Sequence, residues 1–192
     1  TLWPETPKAA LRLLGRLGCR VEFPMEQTCC GQMLTNTGYG SKAAPLVRRF
    51  VDVFEGYDAV VAPSGSCVGS VREQHRGIVE LVGDDRLASR VEHLAPRVYE
   101  LSEFLVDVLG VTDVGAYFPH RVTYHPTCHS LRMLRVGDRP LQLLRAVRGI
   151  DPVSYTHLRA HETVLALVCR LLLDNKTTTQ NTTNQYTIYS TH

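Results

Sequence analysis

The sequence lacks the features that mark several large classes of protein. None of its apolar runs is long enough to span a bilayer and no signal peptide is visible, so we expect no transmembrane segment. Its charges nearly balance, with 21 Lys and Arg against 19 Asp and Glu. Because the basic residues are also dispersed, nothing indicates nucleic-acid binding. There is no GxGxxG or Walker motif, so a nucleotide site is unsupported.

Paired CxxC motifs are also absent, although the sequence contains six cysteines. Five of them precede residue 153, namely Cys19, Cys29, Cys30, Cys67 and Cys128. An odd number of cysteines, two of them adjacent, is a poor basis for a secreted disulfide framework. We therefore expect a cytoplasmic protein whose cysteines serve a metal or redox site.

The last part of the sequence differs in composition from the rest. Between positions 175 and 192, twelve of eighteen residues are Thr, Asn or Gln, which leaves too little apolar surface to form a core. Residues 153–163 and 167–173, when back-translated, resemble sequencing-adapter and primer sequences. We therefore expect residues 153–192 to be an artefactual or disordered tail and exclude them from the fold. The alternative is a genuine apolar helix over 163–173 followed by a disordered tail.

The remaining sequence alternates helix patterns with strand patterns. A continuous apolar run at 59–62 predicts a central parallel strand that is buried on both faces. Shorter patterns predict strands at 19–23 and 122–125 and helices at about 6–17, 41–54, 67–76, 84–93, 100–109 and 139–147. This alternation predicts an α/β fold with right-handed crossovers and a mostly parallel sheet.

The first and last predicted helices resemble each other. Residues 10–17 align without gaps on residues 140–147, and most of the aligned positions are apolar in both. This weak internal repeat suggests two related units. We expect a first unit over 1–115, the start of a second over 116–152, and the tail after that.

The cysteines other than Cys19 lie in loops directly after predicted strands, where α/β sheets collect their chemistry. A disulfide between Cys29 and Cys30 would close a strained ring, but one loop can direct both thiolates at a single polynuclear centre. Gly31 permits backbone conformations that other residues resist and lets the chain approach the centre closely. We therefore predict an iron–sulfur cluster bound by Cys29, Cys30, Cys67 and Cys128, with Gly31 shaping the loop and with a second centre as the alternative for Cys128.

Other interpretations of these residues stay open. Zinc also accepts four thiolates, although its usual CxxC pairs are absent, and a reactive cysteine pair could handle substrate sulfur directly. His125 and His129 flank Cys128 and could form a nucleophile pair with it, but no positioned acid or oxyanion loop is evident. Cys19 lies on the apolar face of its strand and is expected to be a core residue. His75 is expected to face solvent.

Four motifs together resemble the CCG-domain proteins, a cysteine-rich superfamily. They are QTCCGQ at 27–32, APSGSC at 62–67, YELSEFL at 99–105 and YHPTCHSLR at 124–132. Over residues 1–150 the sequence most closely resembles the lactate-utilisation protein A family within that superfamily. The glycolate oxidase iron–sulfur subunit and the heterodisulfide reductase B subunit are more distant relatives.

The resemblance implies two Rossmann-like repeats, each with an early Cys, a Cys-Cys-Gly and a late Cys. By motif, Cys29, Cys30 and Cys67 correspond to ligands of the first repeat and Cys128 to the early ligand of the second. The sequence departs from this pattern because it lacks the first repeat's early Cys and the second repeat's Cys-Cys-Gly and late Cys. We therefore expect the first repeat to begin before Thr1 and the second to be incomplete.

The resemblance also implies a function. It indicates a non-catalytic redox subunit that carries an iron–sulfur cluster, expected to be 4Fe-4S, in a cytoplasmic complex that oxidises L-lactate to pyruvate. The implied partners are a ferredoxin-like iron–sulfur subunit and a third subunit. The alternatives are a glycolate oxidase iron–sulfur subunit, a thiol–disulfide redox subunit like heterodisulfide reductase B, and a structural zinc module.

Overall fold

A computed structural model describes residues 5–153 and 185–188. The helices are α1 (Glu5–Arg16), α2 (Gln32–Asn36), α3 (Gly40–Phe54), α4 (Gly65–Glu73), α5 (His75–Glu80), α6 (Asp85–Leu94), α7 (Leu101–Glu103) and α8 (Arg139–Arg145). The strands are β1 (Arg20–Glu22), β2 (Ala59–Ala62), β3 (Val98–Glu100), β4 (Arg121–Thr123), β5 (Asp151–Val153) and β6 (Gln185–Ile188). A 3-10 turn precedes β3, and wider helical turns at Phe104–Val108 and His129–Met133 follow α7 and Cys128.

Four strands form one parallel sheet in the order β1-β6-β2-β3. In its register Val60 pairs with Val98 on one side and with Thr187 on the other. The α/β fold with a parallel, Rossmann-like sheet that the sequence predicted is therefore confirmed. A second, two-stranded parallel sheet joins β4 to β5.

The central strand β2 separates two groups of core residues. Ala59 and Val61 pack into the group that contains α1, α7 and α8, whereas Val60 and Ala62 pack into the group that contains α3 to α6. All four residues of β2 are buried. This is the placement predicted from the uninterrupted apolar run, because successive side chains of a strand point to opposite faces of the sheet.

Three strands, β3, β5 and β6, were not predicted from the sequence. β5 is only three residues long. β3 has only three residues, too few to show a pattern, and the third is the buried acid Glu100. β6 belongs to the segment that we expected to be a disordered tail, yet its residues pair with both β1 and β2. Residues 154–184 and 189–192, which include Cys169, lie outside the described residues. The division of the chain into two repeats and a tail stays a prediction.

Within the parts of the chain that the structure describes, none of the helices has the length and apolar character needed to cross a membrane.

Candidate functional site

The Cys-Cys-Gly loop connects β1 to α2 and has a specific backbone shape. Gly31 has φ +84°, in the left-handed region that glycine adopts readily, and its amide donates a hydrogen bond to the Cys29 sulfur at 3.4 Å. An added Cβ at Gly31 would lie 3.3 Å from Cβ of Ala43, so α3 also packs closely against the loop. Cys29 is half-buried and Cys30 is buried. Amide-to-sulfur hydrogen bonds of this kind tune thiolate ligands of iron–sulfur clusters.

Cys67 lies in the first turn of α4, directly after the central strand. The Ser64 side chain caps this helix by accepting a hydrogen bond from the Cys67 amide at 3.5 Å. Cys67 is buried in the same core group as Cys30. The helix is held to α7 by an ion pair of Arg72 with the nearly buried Glu103, at 3.1 Å. β2 and the cap therefore fix the position of this cysteine at the carboxyl edge of the sheet.

Cys128 precedes the helical turn His129–Met133 and is exposed. This turn packs against α4, the helix that carries Cys67. The contact is so close at Gly65 that an added Cβ would overlap the Ser130 hydroxyl. The structure therefore places the segment that carries Cys128 beside the helix that carries Cys67.

Gln32 connects the three cysteine-bearing segments. Its side-chain nitrogen donates to the main-chain oxygen of Ser66, next to Cys67, at 3.2 Å. The same nitrogen lies 2.9 Å from Nε2 of His129, next to Cys128. Because an amide NH2 group only donates, His129 accepts through Nε2 and carries its proton on Nδ1. One side chain directly after the Cys-Cys-Gly loop, at the start of α2, thus links the segments of both other cysteines.

His75 lies beneath the Cys-Cys-Gly loop, and the prediction that it faces solvent is wrong. It is 1% exposed, packs edge-on against Phe50, and its Nε2 donates to the main-chain oxygen of Cys30 at 2.8 Å. Burial lowers its pKa to about 4, so the ring is neutral at neutral pH. The sequence could not reveal this contact because it joins residues 45 positions apart.

The four predicted ligands are thiols, the ligand type that iron–sulfur centres use, and their joint binding of one centre stays a prediction. In residues 5–153 and 185–188, no three His, Cys, Asp or Glu side chains are grouped so that they could hold a metal ion. None of the described cysteines forms a disulfide. Cys19 is buried in the core as predicted, and burial raises its pKa to about 11, which makes it an unreactive thiol.

An acidic group that sequence reasoning missed lies beside the cysteine loops. Glu100 ends β3, is 4% exposed, and accepts hydrogen bonds from the Ser102 amide at 2.8 Å and from the Ser102 hydroxyl. Burial raises its pKa to about 7, and the charge of Glu103 adds to that rise. The pKa of Tyr124 is raised to about 12, by burial and then by the charge of Glu100. The motif at 99–105 was the only sequence signal for this group.

Glu100 borders a cavity of about 120 Å³. Its walls come from the loop before Cys67, the start of α7 and the loop before Cys128. In parallel α/β sheets, ligands bind outside the carboxyl ends of the strands. The cavity therefore lies where the fold is expected to place chemistry, next to the cysteines.

Comparisons with known proteins agree with this arrangement. Residues 2–72 match the CCG family, described as a cysteine-rich domain. Lactate utilization protein A of Oceanobacillus iheyensis is 44% identical over 153 residues, which is 80% of this chain and 62% of that protein. The proteins of the same name from Geobacillus kaustophilus (44% over 151 residues, 79% of this chain and 62% of that protein) and Bacillus licheniformis (43% over 145 residues, 75% and 59%) are also similar.

The chain spans about three fifths of the length of these curated relatives. No solved structure gives a significant match to it. The matched family region contains Cys29, Cys30 and Cys67, and the longer matches extend over most of the chain. Residues 2–72 are therefore similar to the CCG cysteine-rich domain, and most of the chain is similar to the proteins named Lactate utilization protein A.

Proposed function

We propose that the chain is an iron–sulfur electron-transfer subunit of a cytoplasmic complex that oxidises L-lactate to pyruvate. The observation that carries this proposal is the Gln32 side chain, whose nitrogen contacts Ser66 and His129 and so connects the segments of Cys67 and Cys128 to the Cys-Cys-Gly loop. The names of the relatives support involvement in lactate utilisation.

Cys29, Cys30 and Cys67 would hold the cluster, with Cys128 as a further ligand or part of a second centre. A bound cluster, which we expect to be of the 4Fe-4S type, would take up and release single electrons. Oxidation of L-lactate to pyruvate releases two electrons and two protons, so the partner subunits would supply the remaining redox groups. The chain's own residues position the thiols: Gly31 donates its amide to the Cys29 sulfur, and His75 holds the Cys30 carbonyl.

Anaerobic reconstitution with iron and sulfide tests the proposal. We expect a broad visible absorption that bleaches on reduction, and we expect Cys29→Ser and Cys30→Ser to lose most of it. Cys19→Ser is the matched control, since Cys19 is a buried thiol in the other core group. Unchanged absorption in both loop variants would exclude the proposal. Stoichiometric zinc without a redox-dependent spectrum would instead indicate a structural zinc module.

A thiol–disulfide redox function is the second candidate, and the exposure of Cys128 favours it. A thiol that handles substrate sulfur must be accessible and reactive. This alternative predicts that the metal-free protein catalyses the reduction of small disulfides by an added thiol, and that Cys128→Ser loses this activity. The electron-transfer proposal predicts no such turnover.

A further inference from the structure

Two hydrogen bonds of the Cys-Cys-Gly loop belong to one peptide group. The carbonyl of Cys30 and the amide of Gly31 are the two ends of the peptide bond between these residues. His75 donates through Nε2 to that carbonyl at 2.8 Å, and that amide donates to the Cys29 sulfur at 3.4 Å. A single planar unit therefore joins the buried ring of His75 to the sulfur of a proposed ligand.

The geometry of this peptide group places the two contacts on opposite sides of it. In a trans peptide the C=O and N–H bonds point in opposite directions, and the described residues contain no cis peptide bond. His75 therefore lies on one side, at the start of α5, and the Cys29 sulfur lies on the other. Gly31, with φ +84°, turns the chain so that its amide points back at a sulfur two residues earlier.

The His75 ring is fixed in place for this contact. It is 1% exposed and packs edge-on against Phe50, with the ring centroids 5.4 Å apart. In the part of the chain that the structure describes, its other nitrogen, Nδ1, is buried without a hydrogen-bond partner. A side chain that only filled this space would need no nitrogen, because an unpaired buried nitrogen costs stability. The polar contribution of the ring is therefore its one hydrogen bond, to the Cys30 carbonyl.

Hydrogen bonds that share a peptide group strengthen each other. Donation to the carbonyl oxygen draws electron density from the amide nitrogen and makes its N–H a stronger donor, by roughly 10–30% per bond. The bond from His75 is buried, where a hydrogen bond is electrostatically stronger than in water. His75 can therefore act on the Cys29 sulfur without touching it.

We propose that His75 is a positioning residue that acts on the Cys29 sulfur through the peptide group of Cys30 and Gly31. Its Nε2–H holds and polarises the carbonyl, and the amide at the other end stabilises negative charge on the sulfur. The inference deepens the proposed function and rests on it for any effect on a cluster. There a stronger amide–sulfur bond favours the reduced, more negative cluster and so raises its reduction potential.

Replacements of His75 separate this relay from packing. His75→Phe keeps a ring against Phe50 but removes the donor. His75→Gln can place its side-chain nitrogen where Nε2 lies, whereas the nitrogen of the shorter His75→Asn reaches only the position of Nδ1. Packing alone predicts that His75→Phe is the mildest change for the loop, and the relay predicts that His75→Gln is.

The first measurement uses the metal-free, 15N-labelled full chain. In His75→Phe and His75→Asn the Gly31 amide signal should move upfield in 1H, and the amide should exchange with solvent roughly tenfold faster. His75→Gln should bring both values back towards those of the wild type. The Gly38 amide has nearly the same φ but donates to Thr35, so it should not change. His93→Phe, at an exposed histidine, is the control and should leave the Gly31 signal in place.

The Gly31 signal decides the inference. If it keeps its wild-type position and exchange rate in His75→Phe, the ring supports the loop by packing alone and the relay is wrong. A wild-type measurement serves if the variants do not fold: 15N NMR of the His75 ring should show the proton on Nε2, because a carbonyl oxygen only accepts hydrogen bonds. A proton on Nδ1 would overturn the proposal.

The second measurement is the midpoint potential after anaerobic reconstitution with iron and sulfide. We expect a more negative potential in His75→Phe than in the wild type, and a return towards the wild-type value in His75→Gln. Equal potentials in the wild type and His75→Phe would contradict an effect of His75 on the cluster. Because the NMR measurement needs no metal, failure of the relay leaves the ligand assignment standing, and failure of the reconstitution contradicts the proposed function alone.

Discussion

The side-chain nitrogen of Gln32 lies 2.9 Å from Nε2 of His129, a contact between residues 97 positions apart. The same nitrogen donates to Ser66 at 3.2 Å. Since Ser66 precedes Cys67 and His129 follows Cys128, the amide sets the spacing of the segments that carry the proposed ligands. Its partners lie on α4 and on the adjoining helical turn, which also pack against each other.

Replacing Gln32 should loosen this arrangement. Gln32→Leu keeps the size of the side chain but removes both hydrogen bonds, so we expect a loss of about 1–3 kcal/mol in the free energy of unfolding. The more specific readout is the His129 ring: 15N NMR should show the proton on Nδ1 in the wild type and should show that preference weakened in the variant. A wild-type ring protonated on Nε2 would contradict the contact.

Gly65 and Gly77 form a matched pair of helical glycines. A Cβ at Gly65 would overlap the Ser130 hydroxyl, whereas a Cβ at Gly77 meets nothing within 4 Å. We expect Gly65→Ala to destabilise the protein by about 1–3 kcal/mol through overpacking and Gly77→Ala to be neutral or to stabilise it by up to about 1 kcal/mol. Urea unfolding measures both changes. Adding Ser130→Ala to Gly65→Ala should recover part of the loss, and no recovery would count against this packing.

Gly31 and Gly38 have nearly the same backbone conformation, with φ of +84° and +83°. An alanine at either position is strained by about 1–2 kcal/mol. Only at Gly31 would the new Cβ also approach another Cβ, that of Ala43, to 3.3 Å. Gly31→Ala should therefore lower the free energy of unfolding by clearly more than Gly38→Ala. Equal losses in urea unfolding would mean that α3 does not confine the loop.

Glu100 makes stability depend on pH. Burial raises its pKa from 4.5 to about 7, so the folded state holds a proton that the unfolded state releases. The stabilisation from this bound proton is complete below about pH 4.5 and is lost as the pH rises to about 7. The free energy of unfolding changes by an amount on the order of 3 kcal/mol over this range. Glu100→Gln should remove this loss. The free energy of unfolding of the variant should therefore rise relative to that of the wild type between pH 5 and about 8. Urea unfolding at pH 5 and at about pH 8 checks the prediction. Glu73→Gln, the same change at an exposed carboxylate on α4, is the control and should show no such gain.

The sequence predicted those features that depend on local pattern. The apolar run of β2 and the stripe of α3 gave their positions to within a residue, and the cysteine motifs identified the candidate ligands. β3, β5 and β6 were missed, because strands of three residues, such as β3 and β5, and the Thr- and Gln-containing β6 carry no strand pattern of their own. Their pairing with neighbouring strands is a tertiary effect.

The positioning of the candidate site could not be predicted for a related reason. Gln32 and His75 are ordinary polar residues in the sequence, and their roles arise from partners that are 34 to 97 positions away. Glu100 gains its unusual pKa only through burial at the end of β3. Cysteines can be recognised as candidate ligands in a sequence. The residues that orient them can be identified only from contacts in the folded structure.

The most direct test of the central claim counts iron and acid-labile sulfide per chain after anaerobic reconstitution. If the Cys-Cys-Gly loop and the first turn of α4 hold one cluster, the wild type should contain iron and sulfide, and Cys19→Ser should contain as much of each as the wild type. Cys30→Ser and Cys67→Ser should each lose most of both. Retention of the full iron and sulfide content in Cys30→Ser and Cys67→Ser would contradict the assignment of these cysteines as ligands.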